Sequence, residues 1–213
     1  MSAIGDLSQV PPDFLTALSS LRKAQCRPEL HLEELPAPSR LAPFAVALGA
    51  EVFATTGSTA RRPVHGPAIA ASSDHTDTEL ASGRFILLHD PEGSEIWDGT
   101  FRIVTYIRAE LEPDIGNDQL LGSVAWTWLV EALEAHRAPY QSAGGTATRI
   151  LSETYGTLAE RDDSIDIELR ASWTPSTADV QSHLEAWSDM VCTFAGLPPL
   201  PEGVTPLGHR RRS

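Results

Sequence analysis

Cysteine is nearly absent from this chain. Cys26 and Cys192 are the only two and lie far apart in sequence, so neither a disulfide framework nor a CxxC metal site can be built, and both read as reduced thiols. Lysine is scarcer still. Lys23 is the single one, in a polar stretch beside Arg22 with no glycine-rich loop, which excludes Schiff-base and P-loop lysine chemistry. No run approaches the roughly 18 to 20 consecutive apolar residues that cross a bilayer. The opening MSAIGDLSQVPPDF has neither the basic start nor the apolar stretch of a signal peptide. A cytoplasmic protein with no membrane contact is the expectation. Positive charge is also short, 16 Lys and Arg against 29 Asp and Glu, and the net charge of −13 repels phosphate backbones and anionic lipid. Nucleic acid is therefore not an expected partner. The one basic cluster, Arg210, Arg211 and Arg212, falls in the terminal residues, where a frayed tail is the simplest reading.

What is present suits one domain of ordinary size, since 41% of the 213 residues are hydrophobic. Residues 10 to 207 read as that single α+β domain, between flexible tails at 1 to 9 and 208 to 213. Pro11 and Pro12 followed by Asp13 as N-cap, with Phe14, Leu18 and Leu21 on one face, predict a short amphipathic helix. ELHLEEL (29 to 35) alternates as a brief strand does, until Pro36, Pro38 and Pro43 break regularity. FAVALGAEVFA then reads as a buried strand, a helical turn or one after the other, because periodicity cannot arbitrate a short apolar run. From 55 to 83 the composition turns to Ser, Thr, Ala, Gly, Pro and His, which predicts a mobile loop, disordered or lid-like.

The second half is more regular. GRFILLHD (83 to 90) reads as a strand and Asp90-Pro91-Glu92-Gly93 as a type I turn. On the returning strand Phe101, Ile103, Thr105, Ile107, Ala109 and Leu111 alternate with Arg102, Val104, Tyr106, Arg108, Glu110 and Glu112, after a bulge or bend at Asp98-Gly99. Pro113 ends it. Asn117 or Asp118 caps a helix, LLGSVAWTWLVEALEAHR, that is apolar almost all round and so is expected to be buried on more than one side. The same grammar recurs: a strand over 144 to 158, a charged turn, and a strand with Ile165, Ile167, Leu169, Ala171 and Trp173 inward. Pro175 stops that strand, Ser176 with Asp179 forms a variant capping box, and Gly196 closes a helix bearing Val180, Leu184, Trp187, Val191 and Phe194. Two ββα units follow. The expected fold is an antiparallel sheet built from both, with the long helices on its one apolar face, plus the N-terminal helix and irregular segment. Ile103, Ile107, Trp128, Ile167, Leu169, Leu184 and Trp187 are its expected core.

The strings LPAPSRLAPFAVALGAEV, GRFILLHDP, WDGTFRIVTYIRAELE, GGTATRILSETYG and ELRASWTP resemble an actinobacterial family known as domain of unknown function 3000, over roughly residues 10 to 207. That resemblance implies no reaction, cofactor or catalytic residue.

The chemistry-bearing residues therefore have to speak for themselves. His65, Asp74, His75 and Asp77 match no zinc-ligand spacing, no nucleophile stands beside a base, and neither a catalytic set, a metal nor a cofactor is expected. His136 and His183 read as solvent-facing helix residues, and Cys192 as a buried thiol. The outward sheet face is the more informative constellation. Arg102, Tyr106, Arg108 and Glu110 on one strand meet Asp166, Glu168 and Arg170 on another, and either Arg149, Glu153 and Tyr155 or the alternate residues of the strand between them. Such a face is either a set of solvated ion pairs or an Arg- and Tyr-lined platform, with Trp97 as a further surface anchor. The function expected is a noncatalytic interaction or adaptor domain that binds an unknown protein partner, or a second copy of itself, through Arg102, Tyr106, Arg108, Arg149, Glu153, Arg170 and Trp97. The alternative is a hydrolase of a phosphorylated or acidic small molecule, with its site between the 55 to 83 loop and the sheet, combining His65 or His75 with Arg108, Arg149 and Glu153.

Overall fold

Alternation of apolar and polar residues generates most of this structure, a computed structural model that describes residues 10–54, 78–111, 118–160 and 163–198. Six strands, β1 (Leu30–Leu35), β2 (Phe44–Phe53), β3 (Glu79–Ser94), β4 (Gly99–Leu111), β5 (Tyr140–Ser152) and β6 (Ser164–Pro175), form one open sheet. Its order is β1-β2-β3-β4-β6-β5 and every neighbouring pair is antiparallel. Among the described residues three α-helices, α1 (Pro12–Leu21), α2 (Leu121–Ala135) and α3 (Gln181–Phe194), complete an α+β fold. Both ββα units are present, β3-β4-α2 and β5-β6-α3, joined through the inner strands β4 and β6. Each long helix packs over the other unit's hairpin: α2 lies on β5 and β6, α3 on β3 and β4.

The core lies between the helices and one side of the sheet. Phe85, Leu87, Ile103, Ile107, Ile167, Leu169 and Trp173 supply the sheet side, and Leu129, Leu133, Leu184, Trp187, Met190 and Val191 the helices, each at most 2% exposed. Removing that apolar area from water is the main favourable term in folding. α1 is tied to α3 by Ser20, whose Oγ accepts the Val180 backbone N–H at 2.9 Å. Gly196 ends α3 at φ 76° in a Schellman arrangement, in which Leu197 N donates to Cys192 O at 2.8 Å and Gly196 N to Thr193 O at 3.0 Å.

Several local expectations are corrected. The 44 to 54 run is a strand, β2, and residues 79–83 belong to β3; residues 55–77 lie outside the described set, as do both tails. β3 continues through Asp90–Gly93, and the hairpin reverses at 95–98, where Asp98 takes φ 54°. Asp90 Oδ1 still accepts the Glu92 N–H at 3.1 Å, so the Asx preference is satisfied inside an irregular strand rather than in a turn. Asp13 lies in the first turn of α1 and Pro11 holds the cap position. β5 begins at Tyr140 and ends at Ser152, with a short 3₁₀ turn at Gly156–Leu158. Val180, not Ser176, holds the N-cap position of α3, without a side-chain cap bond, and Asp179 just before it accepts Gln181 N on Oδ1 at 3.3 Å. α2 buries only the stripe Leu121, Ala125, Leu129 and Leu133, and Trp128 is half-buried, edge-on to Phe194 with centroids 5.4 Å apart. No helix among the described residues is long and apolar enough to cross a membrane.

Candidate functional site on the uncovered sheet face

Among the described residues all three α-helices lie on one side, which leaves the sheet's other face to its strands, and register decides which residues meet there. One row crosses all six: Glu33, Gly49, Arg84, Tyr106, Arg170 and Thr146. A second row, Leu35, Ala47, Ile86, Val104, Ser172 and Gly144, is largely apolar. A third is His31, Glu51, Ser82, Arg108, Glu168 and Thr148. Gly49 contributes no side chain, and the three rows together bound a cleft of about 610 Å³ whose lining includes Glu33, Leu35, Glu51, Arg84, Ile86, Val104, Tyr106 and Arg170.

The arginines on this face divide by whether they are already used. Arg102 is engaged through both terminal nitrogens: it donates to Ser142 O at 2.8 Å, Thr174 Oγ1 at 3.0 Å, Ser172 O at 3.3 Å and Ser172 Oγ at 2.7 Å. Burial lowers its pKa from the ordinary arginine value, and those four acceptors are what compensate its desolvation. Arg108 donates to Asp166 Oδ2 at 2.9 Å, a contact that raises its pKa. Arg170 donates to Glu168 Oε2 at 2.8 Å and stands 5.5 Å from the Tyr106 ring centroid, while the Tyr106 hydroxyl donates to Glu168 Oε1 at 2.8 Å. Burial and then that bond push the Tyr106 phenol pKa up. The two acceptors, Asp166 and Glu168, are 7% and 9% exposed, so the carboxylates are held by the arginines rather than offered to a ligand. Arg84 differs: it is exposed, lines the cleft, and although its backbone carbonyl accepts the Thr105 hydroxyl at 2.9 Å, its guanidinium has no hydrogen-bond or ion-pair partner among the described residues.

Arg102, Tyr106, Arg108 and Arg170 thus share this face, but the other expected members do not. Arg149 pairs in register with Ile167, a helix-side residue, so period-2 alternation turns it to the opposite side, where it donates to Asp118 O at 2.9 Å. Glu153 follows the end of β5 and is exposed, and Tyr155 is 73% exposed. Trp97 is half-buried in the hairpin turn, its carbonyl accepting the Thr174 hydroxyl. Arg84, Glu33 and Gly49 were the residues overlooked. The signal for Arg84 was the same alternation, since Phe85 and Leu87 point inward and leave Arg84 and Ile86 outward.

The titratable residues elsewhere fall into place as structure. His183, expected on a solvent face, is 0% exposed, and its Nδ1 accepts the Trp173 Nε1–H at 3.1 Å. His136 meets Asp189 at 2.6 Å at the end of α2. Burial pushes the Cys192 thiol up to about 11 and raises Cys26 as well, which keeps both protonated at neutral pH. No cluster of three metal-ligating side chains occurs among the described residues; His65, Asp74, His75 and Asp77 lie outside them.

This division of labour predicts opposite outcomes for two neighbouring arginines. Arg102→Gln takes donors away from the buried Thr174 hydroxyl and the half-buried Ser172, and is expected to cost about 1 to 3 kcal/mol in urea denaturation. Arg108→Gln removes a half-exposed partner, and its amide can still donate to Asp166, so a loss below about 1 kcal/mol is expected. Equal losses would place both in the same structural role.

Fold and site together define an α+β protein with a one-sided antiparallel sheet and a charged, cleft-bearing open face. The chain belongs to the family described as Protein of unknown function (DUF3000), whose profile matches residues 10–205. Comparison with curated proteins and with solved structures gives no match.

Proposed function

We propose that this protein is a noncatalytic interaction domain of the cytoplasm that holds a protein partner on its uncovered sheet face. The observation that carries the reading is the cleft of about 610 Å³ across β1 to β4 and Arg170 of β6, with an apolar floor and, at its rim, an Arg84 guanidinium that has no partner among the described residues. Leu35, Ile86 and Val104 suit an apolar side chain of the partner, while Arg84 on one side and Glu33 and Glu51 on the other suit groups of both signs flanking it. Arg102, Arg108 and Arg170 serve this site indirectly, by keeping the strands and their buried carboxylates in fixed positions. An overall charge of −13 disfavours nucleic acid as the occupant.

Peptide-library panning against the chain tests the proposal. Selected peptides are expected to combine an apolar residue with flanking charges, and Ile86→Arg, at the cleft floor, is expected to weaken them by roughly tenfold or more in fluorescence anisotropy. Peptides that bind Ile86→Arg as tightly as the native protein would move the site off this face.

A further inference from the structure

An open sheet has two edges, and each edge strand presents backbone N–H and C=O groups that its own sheet does not pair. The two edges here are built differently. β1 is six residues long, carries Glu33 and Glu34, and is bracketed by Pro28 on one side and Pro36 and Pro38 on the other. Short length, charge and proline are the devices that keep an edge from recruiting another strand. β5 has almost nothing of the kind. It is 13 residues long, contains no proline, lysine or carboxylate, and carries a single charge, on Arg149. Its one irregularity, between Gln141 and Gly144, lies at one end; from Gly144 to Ser152 the ladder to β6 is unbroken, and residues 144 to 149 are all exposed. The helix beside it shares this character. α2 touches β5 through Gly122 and Trp126, and Leu120, Val124 and Leu151 are exposed at 66%, 36% and 60%.

We propose that β5 pairs with the β5 of a second copy of this chain, antiparallel about a two-fold axis, so that two six-stranded sheets become one. Charge selects that occupant. A chain of net charge −13 repels its own copies over most of its surface, and the β5 edge is a long stretch where a copy approaches without carboxylate meeting carboxylate. The strand is also complementary to itself. A register centred on Thr148 sets Gly145 against Leu151, Ala147 against Arg149 and Thr146 against Ile150, small or β-branched residues against larger ones. That register preserves the faces: helix-side residues meet helix-side residues, all helices stay on one side, and the two uncovered faces merge into one. Nine continuous residues at about 3.3 Å each give a ladder roughly 30 Å long. The pairing is independent of what the cleft binds.

Sedimentation velocity over about 1 to 100 μM, with hydrogen exchange at both ends of that range, tests the pairing. The expected result is a concentration-dependent dimer in which exchange slows over residues 144 to 152. Thr148→Lys sets an ammonium against its own symmetry mate and is expected to raise the dimer Kd by roughly tenfold or more, whereas Glu34→Lys on the opposite edge leaves it unchanged. A monomer at the highest concentration, a dimer indifferent to Thr148→Lys, or protection confined to other segments would each overturn the proposal. The exchange pattern of the native chain decides the matter even where the lysine variant does not fold.

Discussion

Replacing Trp187 with alanine is expected to cost about 3 to 5 kcal/mol, the largest loss of any single substitution considered. The indole is 1% exposed, lies against Phe85 with ring centroids 5.6 Å apart, and donates through Nε1 to Thr105 Oγ1 at 2.6 Å. It also explains Gly83: a Cβ added there would stand 2.8 Å from Trp187 Cζ2. α3 and the middle of the sheet therefore meet through one side chain that fills volume and satisfies a buried hydroxyl together. Trp187→Phe keeps most of the apolar area but leaves Thr105 without its donor, and should fall between alanine and the native residue. Urea denaturation reads both. An alanine variant with an unshifted midpoint would mean that the helix does not hold the sheet through this residue.

Trp187 was legible in advance because the spacing of Val180, Leu184, Trp187, Val191 and Phe194 allows only one buried stripe, and all five are buried. The strands β4 and β6 were legible for a related reason: their helix sides are almost wholly apolar and their open sides polar, so alternation marks both faces. Where both sides of a strand face similar surroundings, that signal disappears. β2 carries Ala47 on the open face and Ala50 and Val52 on or beside the core, all at most 4% exposed, and its sequence reads as a uniform apolar run. β5 is the opposite case, an edge strand exposed on both sides, whose Gly, Ala and Thr residues show no period from which its ends could be placed. Its facing was open for the same reason, and Arg149 needed the ladder to β6 to be placed. The site suffered from a further ambiguity. Alternating signs on adjacent strands announce a charged face, but only distances separate arginines consumed by Asp166 and Glu168 from Arg84, whose guanidinium has no partner among the described residues. Strand order depends on α2, which carries the chain past the place of β6 so that β5 becomes the edge, a connection that local pattern does not encode.

The stability of this protein is expected to fall by roughly 3 kcal/mol as the pH drops from about 6.5 to 4, and His183 is the residue responsible. It lies three residues after Val180 and four before Trp187, which puts it on the buried stripe of α3 rather than on the solvent face its polarity suggested. Its Nδ1 already accepts the Trp173 indole N–H at 3.1 Å, so a proton placed there would set donor against donor in a site closed to water. Burial accordingly holds its pKa at about 4, below the ordinary value of 6.5. The sign follows: between those two values the unfolded chain binds a proton that the folded chain refuses, so stability is complete above the unfolded pKa and declines toward the folded one. Glu29 contributes in a different window. Its carboxyl is lowered from 4.5 by Arg27, and its stabilisation is lost only as the pH falls below that range. His183→Gln separates the two, because the amide oxygen can still accept from Trp173 while the side chain cannot titrate. Urea denaturation at a series of pH values should show the difference in stability between native and variant protein changing across 4 to 6.5, with the native protein losing more as the solution becomes acidic. A constant difference over that interval would assign the acid sensitivity to other groups and return His183 to a purely steric role.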